Sequence, residues 1–203
     1  MPIILHLCCA DCLLRYLVSL NYDLPPTCHN FFQLDYQKST RTSPIKIDFH
    51  LFFYNPNIYP KSEYNARLQA VKKIAQLLNL PLTIADYQPQ DYFNLPTCQT
   101  QLSTFNFSTN RCYECQNLRL AHTLQFAKDT FATDHFSTTM LASHYLNQSQ
   151  IIDLGQKLSP SFYLPKFCYP FLHIKTSGFF KQNYCGCLFS LNQKTKEKYL
   201  NQI

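Results

Sequence analysis

Tryptophan is absent from the chain, and glycine is scarce at 3 of 203 residues. Average usage of roughly 7% would supply about 14 glycines. So few glycines argue against a Gly-rich loop cradling phosphates, because such a loop needs several residues free to adopt positive φ. Charged residues make up only 15% of the chain while hydrophobic ones reach 46%, which excludes an intrinsically disordered protein. No run of 18 or more apolar residues exists, so no transmembrane helix is predicted. The opening MPIILHLCCADC has no basic n-region and no long apolar stretch. It does not read as a secretory signal, and a cytoplasmic protein without membrane attachment is expected.

Phenylalanine (17) and tyrosine (14) must therefore fill much of the core. The length suits one domain over residues 1–203. The net charge of +6 suits a partner with phosphates, and it is equally ordinary for a soluble enzyme. The strongest compositional fact is the presence of 10 cysteines. In a reducing compartment a dense set of thiols points to metal binding or redox chemistry more than to a disulfide framework.

Strand and helix patterns alternate. Ile3 to Leu7, residues 48–54, Leu82 to Ala85 and His135 to Leu141 read as strands. Leu13 to Leu20 reads as a helix. In KSEYNARLQAVKKIAQLLN, Tyr64, Leu68, Val71, Ala75 and Leu78 recur on one helical face, with Ser62 as the expected cap. Leu120, Leu124, Ala127 and Phe131 mark a helix after Cys112, and Ile151, Leu154 and Leu158 mark another, weakened by Gly155. The alternation predicts an α/β fold with a mostly parallel sheet. Residues 21–47 and 87–111 are polar and Pro-containing, and both read as long loops, the first as an insertion at the surface.

Seven cysteines fall into three groups. Cys8, Cys9 and Cys12 end the first strand, at the carboxyl edge of the sheet where α/β proteins bind ligands. A helix start there favours thiolates. Cys112 and Cys115 form RCYEC, a C-x-x-C spacing suited to chelation or to a disulfide. Cys185 and Cys187 form YCGC, where Gly186 tolerates the backbone that a small disulfide ring needs. Four thiolates can hold either a structural zinc or an iron–sulfur cluster. The surplus of cysteines favours redox chemistry. Cys28, Cys98 and Cys168 have no partner at useful spacing and read as packing residues or free thiols. His6 and His144 read as structural histidines. Asp11 either ligates a metal or caps a helix, and Tyr184 either packs or delivers a proton.

The segments HLCCADC, FFYNPNIYPKSEYNARLQAVKKIA, RCYECQNLRLAHTLQFAK, FSTTMLASHYLNQSQI and QNYCGCLFSL, in that order, resemble the epoxyqueuosine reductase family QueH. The resemblance spans most of the chain outside residues 21–47. It implies a Rossmann-like three-layer fold similar to PP-loop (HUP-type) tRNA-modifying enzymes. It implies reduction of the epoxide of epoxyqueuosine to queuosine at the wobble position of tRNA with a GUN anticodon. The implied cofactor is a [4Fe-4S] cluster on Cys8, Cys9, Cys112 and Cys115, with an additional mononuclear iron beside it. Cys185 and Cys187 match the family's redox-active pair, and Cys12 and Asp11 fall among the catalytic positions. An electron donor is required, and its identity is not written in the sequence. The family's first motif reads CCAPC or CCAPD, whereas here Asp11 stands in the proline position and Cys12 comes last.

Lys166, Lys175, Lys181, Lys194, Lys196 and Lys198, interleaved with aromatics, suit either tRNA or plain solvation. Arg111 and Arg119 suit either phosphate contact or the balancing of cluster charge. Two readings of other classes compete: a non-catalytic zinc-bound RNA-binding module, and a metal-free thiol–disulfide oxidoreductase. A tRNA thiolation enzyme would need a Ser-Gly-Gly-rich loop after the first strand, where HLCCADC stands, and radical-SAM chemistry would need a C-x-x-x-C-x-x-C triplet that the chain lacks.

Overall fold

In a computed structural model, residues 1–34, 43–104, 110–182 and 184–191 are described. Four short strands, β1 (Ile3–His6), β3 (Phe49–Phe53), β4 (Leu82–Ile84) and β5 (Phe136–Thr138), form a parallel sheet in the order β4-β3-β1-β5. β1 lies in the interior, so Ile4, Leu5 and His6 are buried, and its apolar run IIL shows no polar alternation. Helix α1 (Ala10–Ser19) packs against α2 (Lys61–Leu78), and α5 (Asn110–Phe131) packs against α6 (Gln148–Leu158). The helices flank the sheet in the three-layer, Rossmann-like arrangement that alternation predicts.

Local chemistry sets the boundaries. α1 begins three residues before the predicted Leu13, because the Cys9 side chain caps it by accepting from Cys12 N at 3.4 Å. α2 begins at Lys61 behind Pro60, without a side-chain cap, so Ser62 sits inside the first turn. Asn79 ends α2 in the left-handed conformation at φ 53°. The buried face of α2 includes Tyr64, Val71, Ala75 and Leu78 as predicted, together with Arg67. The predicted strand His135 to Leu141 ends at Thr138. There the Thr138 hydroxyl accepts from Met140 N at 3.1 Å and turns the chain into a 3-10 helix, Thr139–Ala142. Local side-chain bonding of this kind competes with the strand ladder and prevails here.

The two expected loops carry structure. Residues 87–111 contain α3 (Pro89–Phe93) and α4 (Pro96–Thr104), each with proline near its first turn, where the missing N–H costs nothing. Within residues 21–47, a 3-10 turn (Pro26–Phe31) leads into β2 (Phe32–Leu34), which pairs antiparallel with β6 (Ile174–Thr176). Cys28 in that turn is fully buried, and Phe31 packs on the main core. Cys98 is fully buried as well, and both cysteines fill space as the sequence suggests. His6 is a satisfied structural histidine, bonded through Nδ1 to Thr138 Oγ1 at 2.9 Å and through Nε2 to the Tyr54 carbonyl at 3.0 Å. Burial holds its pKa down to about 3.

Candidate active site

The parallel strands β1 and β5 end beside each other, and the first cysteine group begins where β1 stops. Cys8, Cys9 and Cys12 are buried, and their sulfurs lie within 4.8 Å of one another. Two adjacent strand residues would face opposite ways. The chain leaves the strand after His6, and α1 starts at Ala10, so the turn brings all three sulfurs together. Cys8 Sγ lies 4.0 Å from Cys9 Sγ and 3.5 Å from Thr139 Oγ1, and the Cys8 amide donates to Thr139 Oγ1 at 3.2 Å. Hydrogen bonds from Cys12, then from Cys9, hold the Cys8 thiol well below its ordinary range. The cost falls on Cys12, whose thiol is pushed well above that range by its bond to Cys8. Of the three thiols, Cys8 is the one held down, while Cys9 and Cys12 are held up.

Asp11 faces other partners. Its carboxylate accepts from Arg15 Nε at 3.0 Å and from the Thr176 hydroxyl, with Lys181 Nζ at 3.7 Å. Thr176 belongs to β6, the partner of β2, so residues of the predicted insertion brace the strand that holds Asp11.

The other two cysteine groups meet at a neighbouring cavity of about 260 Å³. Cys112 and Cys115 from α5 and Cys185 and Cys187 from the C-terminal segment line it, with Tyr92, Arg119, Tyr145 and Tyr184. Cys115 and Cys187 are buried, Cys185 is partly buried and Cys112 is exposed. Burial raises the Cys115 thiol to about 11. Cys185 is the reverse case. A hydrogen bond from Cys187 lowers its pKa to about 5, with Ser190 Oγ adding a contact at 3.1 Å. Cys187 is pushed well above the thiol range by burial and by Cys185. Of the two, Cys185 favours the thiolate and Cys187 the thiol.

Arg67 clamps this pair. Its guanidinium bonds the Cys185 carbonyl at 3.1 Å and the Tyr184 carbonyl at 3.3 Å, and is itself fixed by Glu63 Oε1 at 2.7 Å. Gly186 takes φ 104°, and its carbonyl accepts from Tyr59 N at 3.0 Å. Arg119 stands between the two cysteine regions. It bonds the neutral oxygens of Cys115 at 3.4 Å and Asn55 at 3.4 Å. Its buried positive charge acts on Cys115, Cys8 and Cys185 alike. A buried cation among neutral oxygens calls for anionic neighbours, and the thiolates supply them.

Sequence reasoning missed Tyr92 and Arg67. Tyr92 lies in a stretch read as loop, and Arg67 occupies a helical face read as apolar. The only signal for Arg67 was Glu63, one turn earlier, a pairing usually found at surfaces. Of the lysines considered for RNA, Lys166, Lys175 and Lys181 are described, and Lys194, Lys196 and Lys198 lie outside the described residues. Among the described residues, no helix is long and apolar enough to cross a membrane.

Comparison with known proteins identifies the family. The family model described as epoxyqueuosine reductase QueH matches residues 33–193, a span containing Cys112, Cys115, Cys185 and Cys187, while Cys8, Cys9 and Cys12 lie outside it. The epoxyqueuosine reductase QueH of Thermotoga maritima is 32% identical over 162 residues, covering 75% of this chain and 83% of that protein. That of Helicobacter pylori is 32% identical over 155 residues, 69% of this chain and 41% of the longer relative. That of Acinetobacter baylyi is 24% identical over 212 aligned residues, 96% of this chain and 82% of the relative. A family model matched across residues 33–193, together with a relative 32% identical over three quarters of the chain, places this protein in the epoxyqueuosine reductase QueH family of oxidoreductases.

Proposed function

We propose that the chain reduces the epoxide of epoxyqueuosine in tRNA to the alkene of queuosine, the last step in making that base, with an iron–sulfur centre and the Cys185–Cys187 pair. The observation that carries this reading is the cavity whose wall gathers Cys112, Cys115, Cys185 and Cys187. Arg119 adjoins it and feels both Cys8 and Cys185.

The residues suit an iron–sulfur group. Cys8, Cys9, Cys112 and Cys115 would hold it, with Cys12 packed against the first two. All are soft sulfur donors, Cys8 favours the thiolate, and Arg119 offsets accumulated negative charge. Cys12, whose sulfur lies with those of Cys8 and Cys9, would offer a further donor to an additional iron, and Asp11, whose carboxylate is held by Arg15 and Thr176, would act on the same region as a neighbouring charge. When bound, the metal supplies single-electron transfer and a Lewis acid for the epoxide oxygen.

The chain's own residues account for the rest. The cavity has room for the modified side chain of one base but not for a folded anticodon loop, so the base must leave its stack to enter. Tyr145, 41% exposed among the cavity-lining residues, offers a stacking surface. Epoxide removal breaks both C–O bonds, forms a C=C bond and releases the oxygen as water. Cys185 thiolate and Cys187 thiol each give up one electron and become a disulfide. Cys187 gives one proton, and the second enters from solvent on the side of exposed Cys112. An external reductant, the electron donor, then restores the dithiol. Lys166, Lys175 and Lys181 provide basic groups for the tRNA backbone, and the cytoplasm supplies both tRNA and a reducing environment.

The test is anaerobic purification with iron and sulfide analysis, then incubation with epoxyqueuosine-containing tRNA bearing a GUN anticodon. Brown, iron-loaded protein that converts the base is expected. Colourless zinc-loaded protein without turnover would overturn the proposal.

A further inference from the structure

Tyr92 is fully buried, and its hydroxyl lies 2.8 Å from Cys187 Sγ. It reaches this place because α3 and α4 fold against the C-terminal cysteine segment. Tyr92, Phe93 and Cys98 share a small core there with Cys115, Cys187, Leu188 and Phe189. A buried hydroxyl needs a partner, and here it meets a sulfur of the redox pair at 2.8 Å, with the Cys98 sulfur as a second neighbour. Burial keeps the phenol protonated, so Tyr92 donates and the sulfur accepts.

We propose that Tyr92 is a positioning residue for Cys187, and that its hydrogen bond sets how readily the Cys185–Cys187 pair gives up electrons. The inference rests on the reading of that pair as redox-active. A thiol or thiolate sulfur accepts the phenol hydrogen bond better than a disulfide sulfur does. The bond therefore stabilises the reduced pair, and oxidation leaves the Tyr92 hydroxyl poorly matched in a dry pocket. Both effects hold the potential of the pair up. Removing the hydroxyl while keeping the ring takes both away and favours the disulfide.

The exchange that reads this out balances without further reactants. Reduced pair plus one molecule of glutathione disulfide gives the Cys185–Cys187 disulfide plus two glutathione thiols. Two electrons pass to the glutathione sulfurs, the Cys187 proton goes with them, and the buffer supplies the second proton. The experiment equilibrates the anaerobically purified full chain with glutathione redox buffers, quenches it with an alkylating agent and measures the Cys185–Cys187 peptide by mass spectrometry. Tyr92→Phe should shift the equilibrium about tenfold or more toward disulfide, which is a fall of about 30 mV for a two-electron couple. Phe93→Leu, in the same small core, should not move it. A Tyr92→Phe equilibrium equal to wild type, with the wild-type disulfide forming normally, would overturn the role of Tyr92 alone. A wild-type chain that forms no Cys185–Cys187 disulfide at any buffer ratio would overturn the redox reading itself. If Tyr92→Phe fails to fold, a single 3-fluorotyrosine at position 92 of the otherwise native chain gives the same answer. Its fluorine resonance must shift when the pair is oxidised, and an unmoved resonance refutes the proposal.

Discussion

Replacing Gly186 with alanine tests the clamp on the cysteine pair. The residue sits at φ 104°, where a side chain is strained whatever space surrounds it. An added Cβ would lie 2.9 Å from Arg67 Nη1, 3.0 Å from Arg67 Cζ and 3.0 Å from Ile58 Cγ1. Neither neighbour can yield easily. Arg67 is fixed by Glu63 and by two carbonyls of the segment itself, and Ile58 is buried and bridged to Cys187. Backbone strain costs roughly 1–3 kcal/mol and overpacking roughly 1–3 kcal/mol more. The sum, about 2–6 kcal/mol, exceeds what a short terminal segment can absorb in place. The segment should leave Arg67 while the sheet stays folded, and even the lower figure depletes the clamped state roughly 30-fold. The assay is the pH dependence of Cys185 alkylation. Wild type should show a midpoint near 5, because Cys187 donates to the Cys185 thiolate. Gly186→Ala should move it up toward the ordinary thiol range, with turnover falling in parallel. Combining it with Arg67→Met should cost less than the sum of the single changes, because the two atoms that clash are those two side chains. A Gly186→Ala protein with an unchanged midpoint and full turnover would refute the clamp.

Other outcomes follow from the same geometry. Because the folded Cys185 pKa is depressed, its stabilising contribution is present above the unfolded thiol pKa and is lost as pH falls through about 5. Cys185→Ser should remove that acid-limb dependence in a stability–pH titration. Cys12→Ala should weaken iron loading, since it removes the hydrogen bond that most favours the Cys8 thiolate; unchanged iron content would count against a joint role of the three sulfurs. Tyr16→Phe should cost about 1–2 kcal/mol in denaturant unfolding while leaving turnover intact, because Ser137 loses its 2.9 Å partner far from the cavity.

The parallel sheet was legible because β1 and β3 are short apolar runs bounded by turns, and α2 and α5 show clean helical spacing. The three cysteine groups were legible from spacing alone. Their grouping in space was only partly so. Strand-end geometry explains how Cys8, Cys9 and Cys12 meet, but the seating of Cys185 and Cys187 beside Cys115 depends on contacts between residues far apart in sequence. Two short helices were hidden in residues 87–111 because proline and polar residues suppress the apolar period even where proline starts a helix. Tyr92 was hidden with them. Arg67 escaped because a cation on a core-facing helix is unexpected until its three partners are seen. β2 escaped because its pairing with β6 joins residues 32–34 to 174–176, a match that no local pattern announces.

The most direct test of the functional account is nucleoside analysis of epoxyqueuosine-containing tRNA after one anaerobic turnover by the reduced, iron-loaded chain. The account predicts loss of one oxygen atom from the modified base to give queuosine, in step with appearance of the Cys185–Cys187 disulfide. Unaltered epoxyqueuosine after incubation with fully reduced, iron-loaded protein would contradict it.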